Sequence, residues 1–335
     1  MAQDSGNNQG ERIAKVIARA GLASRREAEA WIAAGRVAVN GAVIASPALN
    51  VAPDAAVTVD GQPLPQRERT RLFLYHKPRG LVTTHADPQG RPTVFAALPK
   101  HLPRLMSVGR LDANTEGLLL LTNDGGLARL LELPATGWTR RYRVRAHGRV
   151  AQERLDALRR GITIDGARYG PIEARLEREQ GANIWLTFAM REGKNREVKN
   201  VLGHLGLAVN RLIRVSFGPF QLGALSEGAV EEVRTRHLRE QLGEKIAAAA
   251  SLDFAAPLPI PPREADRVGF DKSPETPPRR FAPTVTLRGR DKKPPLPLRG
   301  RDKKKPRRDT DHLGEPEKAR RERKRGRRPL RGKPS

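Results

Sequence analysis

"GRLDANTEGLLLLTNDG", residues 109–125, decides how the rest of the chain is read. It places one acid, Asp112, at the rim of a very apolar run and among turn formers, on a chain whose formal charge is +26. The leucines at 118–121 form a short continuous apolar run bounded by turn residues, the pattern of a strand buried on both sides. If "SVGRL", residues 107–111, is also a strand, its two-residue period predicts Arg110 and Asp112 on one side and Leu111 on the other. A carboxylate at the edge of an apolar pocket is costly unless a cation neutralises it, so basic partners are expected from elsewhere in the chain.

Two plainer roles compete for Asp112. "DANTEG" imitates the start of a calcium loop, with oxygens at positions 1, 3 and 5 and glycine at 6. The imitation fails at position 12, where a bidentate glutamate is required and Asn123 stands. Alternatively, Asp112 opens a turn by accepting backbone N–H groups with its own side chain.

Working outward, strand patterns ("LFLYH", "GLVTT", "LLLLT", "YRVRAH", "IWLTFA", "LAVNRLIRV") are interspersed with helical ones ("GGLARLLEL", "AQERLDALRRG", "NREVKNVLGHLG") from residue 72 onward. Several strands follow one another without a crossover helix, which predicts an α+β fold with a mixed, mainly antiparallel sheet. On "RRYRVR", Tyr142 shares a face with Val144 and Ala146, while Arg141, Arg143 and Arg145 line the other. On the helix beginning "NREVKN", Arg196 and Lys199 are three apart, and Val198, Leu202 and Leu205 supply the apolar face. "YHKPRG" reads as a basic turn between two strands, with Lys77 and Arg79 around Pro78.

Toward the N-terminus, Ile13, Val16, Ile17 and Ala20 recur at helical spacing, with Arg12, Lys15 and Arg19 elsewhere on the surface. Ser24 and Glu27 form a capping box for a second helix that buries Ala28, Trp31 and Ile32 and stops at Gly35. A hairpin about Asn40 and Gly41 and strand signals at Val57 and Val59 follow. Arg12, Lys15, Arg19, Arg25, Arg26 and Arg36 make this compact region suited to docking on phosphates. The polar, proline-flanked residues 63–71 read as a linker.

Composition limits the partners. Residues 261–335 hold 26 Lys and Arg against 11 Asp and Glu, are proline-rich, and repeat "LRGRDKK" from Leu287 and Leu298 and "LRGK" from Leu330. Such a tail buries too little apolar surface to offset its ordering entropy, so 251–335 is expected to be a disordered cationic arm, as are residues 1–10. The remaining 260 residues carry 37 basic and 26 acidic side chains, and a polyanion is the obvious partner. Without cysteine, and with seven scattered histidines, a metal or other cofactor is not expected. The first twelve residues do not read as a signal peptide and no apolar run approaches ~20 residues, so a cytoplasmic protein with no membrane association is expected.

The residues "GLASRREAEAWIAAGRVAVNG" resemble the S4 RNA-binding domain over residues 11 to 62. "GRLDANTEGLLLLTND", with "YHKPRGLVTT", "RRYRVR" and "EGKNREVKNVLGHLGLAVNRLIRVSFGPFQLGAL" in the same order, resembles the pseudouridine synthases that carry such a domain. Within that family "GKNREVKN", "NRLIRV" and the basic extension are most similar to the large-subunit ribosomal RNA pseudouridine synthase B group; the small-subunit group shares the domain plan. The resemblance implies a catalytic domain over 72–250 that isomerises uridine in ribosomal RNA, free or in assembling particles. It gives Asp112 the catalytic role, Tyr142 an active-site position and Lys199 an ion pair with Asp112. Arg110 is left to fill the space the base vacates or to contact the RNA backbone, Arg196, Lys77 and Arg79 to RNA contact, and the protein is expected to act as a monomer. The rival is a non-catalytic ribosome-associated RNA binder that uses the S4-like domain and tail alone, with the central domain as a scaffold.

Overall fold

A computed structural model describes residues 10–258 of the chain, so the N-terminal stretch and nearly all of the basic tail, with its near-repeats, lie outside the described residues. The first segment to fold locally is small. Helices Ile13–Arg19 and Arg25–Ala33 lie against strands Val37–Val39, Ala42–Val43, Val57–Val59 and Gln62–Pro63, and Glu11–Arg12 pairs with Asn50–Val51. The Ser24 hydroxyl accepts from the Glu27 N–H at 3.1 Å and the Glu27 carboxylate accepts from the Ser24 N–H at 2.6 Å, so the second helix starts where the capping box expects. Asn40 and Gly41 both take positive φ, as a two-residue hairpin turn requires. Ile13, Ile17, Ala28, Ile32, Val37 and Val59 close the core.

The segment expected to be a linker is tied down. Arg67 donates to the Asp124 carboxylate at 2.8 Å, the buried Thr70 hydroxyl donates to the same group at 3.1 Å, and Arg71 pairs with Glu232. Asp124 is buried because it caps helix Gly125–Glu132, accepting from the N–H groups of Gly126 and Leu127; the connection is held by that acid. The start of the expected tail is also packed. Leu252 and Phe254 lie on the core, and the Asp253 carbonyl accepts from the Thr70 N–H at 2.6 Å, so order extends past residue 250.

The larger region is built on one nine-stranded sheet. Its main path runs Ile172–Gln180, Asn183–Met190, Arg140–His147, Ala208–Phe217, Glu116–Thr122, Leu72–Lys77, Val230–Glu232, with Met106–Ser107 and Phe220–Gln221 added at the side. All these pairings are antiparallel except one: Ala208–Phe217 runs parallel to Glu116–Thr122 through Ile213 and Arg214 opposite Glu116 and Gly117. The mixed sheet is as expected, and the parallel seam joins its two halves.

Strand Glu116–Thr122 is buried at every residue because both its faces are covered. Leu118 and Leu120 face helices Gly125–Glu132 and Thr235–Ala249, while Leu119 and Leu121 face a cluster with Phe73, Tyr75 and Leu111. In the other half, Val144, Leu186 and Phe188 lie under helix Glu197–His204. Two expected strands are cut short. "GLVTT" contributes only the bridge Val82 to Thr93, since Thr83 spends its hydroxyl on Leu111; "SVGRL" ends as a strand at Ser107, because Gly109 at φ 70° turns the chain.

Gly117 makes the seam possible. It sits at φ 100°, and a Cβ there would lie 2.3 Å from the Arg214 carbonyl oxygen. Gly117→Ala is therefore expected to destabilise the protein by about 3 kcal/mol or more, because neither the backbone conformation nor the strand separation tolerates a methyl group. Urea unfolding of the two proteins checks it; Gly166→Ala, in an open turn at positive φ, is the control for backbone strain without the close approach.

Candidate active site

The loop between Ser107 and Glu116 has no regular structure and is nailed down by side chains from other elements. Gly109 donates its N–H to the Glu132 carboxylate at 2.8 Å. The Thr83 hydroxyl donates to the Leu111 carbonyl at 2.8 Å. Gly80 N–H donates to the Ala113 carbonyl, and Thr115 N–H to the Asp112 carbonyl, which closes the turn through the main chain. Leu111 goes into the core and Arg110 is exposed, so the alternation expected of a strand survives in a loop.

Lys77 is the strongest of these anchors. It continues the buried face of Phe73 and Tyr75, is fully buried, and its Nζ donates to the carbonyls of Pro78, Ala113 and Thr115 at 2.9, 3.2 and 3.0 Å. The expected RNA contact is thus overturned for Lys77: no solvent reaches it, and its three N–H donors are spent inside. Burial pulls its pKa down to about 8, against the attraction of the Asp112 and Glu116 carboxylates. Arg79 points outward and comes only to 3.9 Å of Glu116, which is held by Arg211 at 2.8 Å.

With the backbone fixed in this way, the Asp112 carboxylate faces an open cavity of about 840 Å³. Lys199 Nζ donates to its Oδ2 at 3.1 Å, and Arg196 Nε lies 3.9 Å from the same oxygen. This removes the turn-opening role, because the turn uses the main chain and the side chain is turned to cations. The calcium reading falls too: among the described residues no group of three or more His, Asp or Glu is placed to hold a metal. Arg196 stands just before helix Glu197–His204 at φ 51°, a left-handed conformation rare for arginine and costly unless the surroundings impose it.

Tyr142, half-buried, lines the same cavity from strand Arg140–His147, as do Arg110, Leu212 and Met190. The structure thus gathers Arg110, Asp112, Tyr142, Arg196 and Lys199 from distant parts of the sequence. The cavity also contains three groups that the sequence reading passed over: Arg140, Arg214 and Glu197, all buried. Arg214 Nε donates to the Leu118 carbonyl at 2.7 Å across the seam, and Arg140 donates to the carbonyls of Trp138 and Arg191. Burial pushes both guanidinium pKa values down and the Glu197 carboxyl up. The signal was available: period 2 sets Arg140 beside Tyr142, and Arg214 beside Leu212, on faces that otherwise read as apolar.

The expected S4-domain contacts separate into two sets. Arg12, Arg25 and Arg26 are exposed with no acidic partner among the described residues. Lys15 and Arg19 share Glu11, and Arg36 forms a two-pronged pair with Asp60 while its guanidinium sits 5.0 Å from the Trp31 ring centre.

Lys77 gives a pH signature. Its pKa is about 8 in the folded chain against 10.5 ordinarily, so between those values the unfolded chain binds a proton that the folded chain does not. Stability is expected to rise with pH across that window relative to Lys77→Met, and to differ by a constant below it. Urea midpoints taken from pH 7 to 10 check the slope.

Comparison with known proteins places the sequence in a family. The RNA pseudouridylate synthase family matches residues 71–204 and the S4 domain matches residues 11–57. An RNA pseudouridine synthase of Rickettsia felis, described as uncharacterized, is 44% identical over 230 residues, covering 69% of this chain and 100% of its own. The ribosomal large subunit pseudouridine synthase B of Pseudomonas aeruginosa is 42% identical over 258 residues, covering 74% of this chain and 66% of its own. A solved pseudouridylate synthase structure aligns over 70% of this chain and 100% of its own with a TM-score of 0.49 and 27% identity. The extent of identity to the Rickettsia protein, end to end along that relative, establishes that this chain belongs to the RNA pseudouridine synthase family.

Proposed function

We propose that the protein isomerises uridine to pseudouridine in ribosomal RNA, with the large-subunit RNA as substrate and Asp112 as the catalytic carboxylate. The observation that carries this is the Asp112 carboxylate held at a cavity mouth by Lys199 at 3.1 Å while its own loop is anchored from beneath by Lys77. A non-catalytic RNA binder has no use for an acid presented on so costly a support. The large subunit is favoured by the Pseudomonas relative, whose name assigns it to that RNA.

The reaction breaks the bond from C1′ to N1, turns the base, joins C5 to C1′ and releases the C5 proton, while the freed N1 takes up a proton. It needs no net redox change or group transfer. The target uridine must leave its stack to reach the cavity, which costs least in loops and single strands. The Tyr142 ring offers a stacking surface for the flipped base, a contact of about 1–3 kcal/mol. Asp112 acts at C1′, as nucleophile or by proton abstraction at the ribose, with Lys199 fixing its orientation. When N1 departs it leaves electron density on the uracil ring. The buried cations Arg140 and Arg214, on the inner wall of the cavity, favour that charge because they are themselves shielded from water. Arg110 and Arg196, exposed at the rim, suit the flanking phosphates, as do Arg79 and, on the S4 domain, Arg12, Arg25 and Arg26.

Release of tritium from C5-labelled uridine in large-subunit ribosomal RNA tests this reading. Wild type is expected to release it, and Asp112→Asn to lose all measurable turnover while retaining RNA affinity. Wild-type binding without release, from both free RNA and assembling particles, would favour the binder. Lys199→Met is expected to lower kcat by about 10²-fold or more with KM little changed, since it disturbs the orientation of the reacting group. A chain ending at residue 258 retains every described residue of the packed region, including Leu252 and Phe254, and is expected to keep kcat at saturating RNA.

A further inference from the structure

The cavity lies on one face of the sheet; on the opposite face of the same strands the side chains are partly or fully exposed. Strand Arg140–His147 puts Arg141, Arg143 and Arg145 on that face, opposite Ala189, Thr187 and Trp185 of the neighbouring strand. Thr187 and Trp185 are in turn opposite Arg175 and Arg178 of the edge strand, and Arg211 stands opposite Arg145 on the other side. Trp185 is partly exposed and belongs to none of the apolar clusters of the core. Its ring has the Arg143 guanidinium 4.7 Å and the Arg178 guanidinium 5.7 Å from its centre.

Water-facing antiparallel sheets are ordinarily polar, so charge alone decides nothing here. The particular mixture does. Two arginines are compensated, Arg143 by Glu177 at 2.9 Å and Arg211 by Glu116, but the exposed Arg141, Arg175 and Arg178 have no acidic partner among the described residues. Arginines around an aromatic ring on an open sheet offer a base a stacking plane and phosphates a set of planar cations. The occupant must be anionic, which excludes the chain's own tail, with 26 basic against 11 acidic residues.

We infer that this face, with Trp185 at its centre and Arg141, Arg175 and Arg178 around it, is a second RNA-docking surface that holds a single-stranded segment of the substrate RNA remote from the target uridine. The inference rests on the chain acting on a large RNA. It makes the enzyme grip its substrate on both faces of one sheet, so a long RNA engages the second surface while a short stem-loop reaches only the cavity.

The test compares the full chain with its Arg141→Gln, Arg175→Gln, Arg178→Gln triple variant on two probes: a long large-subunit ribosomal RNA transcript, and a stem-loop carrying the modified uridine mapped within it. On the transcript the variant is expected to show a KM raised by about tenfold to a hundredfold near 0.15 M salt and a salt slope shallower by about 2–3, from three lost phosphate contacts, with kcat unchanged. On the stem-loop both parameters should match wild type. Ultraviolet cross-linking of the transcript is expected to mark the peptide containing Trp185, in wild type and equally in Asp112→Asn, so the docking result does not depend on turnover. The inference is overturned if cross-links omit that peptide and the transcript KM is unmoved, or if the variant loses as much on the stem-loop as on the transcript.

Discussion

One buried ammonium organises the candidate site. Lys77 gathers three carbonyl oxygens that would otherwise crowd one another, two of them from the loop that carries Asp112. Burying lysine is expensive, and burying those carbonyls without donors would be as well; each cost is met by the other. The consequence is directional. With the carbonyls of Ala113 and Thr115 turned inward and Leu111 in the core, Asp112 has only the cavity to face.

The second constraint is the parallel seam. Glu116–Thr122 and Ala208–Phe217 meet at Gly117 and Arg214, and Arg214 ties the halves together through the Leu118 carbonyl. One half provides the Asp112 loop; the other provides Tyr142, Arg214 and Lys199. A cavity at the junction of two covered half-sheets draws chemistry from both. Its inner wall is cationic because arginines there replace residues that the packing would otherwise make apolar. An RNA enzyme gains from that substitution, since its substrate arrives anionic and the base becomes more so during the reaction.

The two faces of the sheet carry different side chains. Alternation along "RRYRVR" sends Tyr142 and Val144 to the cavity and core, and Arg141 and Arg143 to water, with Arg145 half-buried on the same face. The same eight-residue strand thus contributes both to the site of chemistry and to a basic surface behind it.

Much of this was legible from residues alone, because it depends on local spacing. The Ser24 and Glu27 box, the turn at Asn40 and Gly41, the buried leucines of 118–121 and the inward face of Tyr142 follow from capping, turn chemistry and period 2. The family motif around Asp112 and the helix bearing Lys199 were readable as patterns, whereas their meeting was not: 87 positions separate the two residues. What only the tertiary structure decided is the state of charged groups whose surroundings come from afar. "YHKPRG" looks like a basic surface turn, yet pairing of Lys77 with Gly117 carries it beneath the loop that bears Asp112. Residues 63–71 look like a free linker until Asp124, the cap of a distant helix, claims Arg67 and Thr70. Local sequence determines which face a side chain takes; whether that face meets water or protein is set by long-range pairing, and for a charge that difference reverses its role.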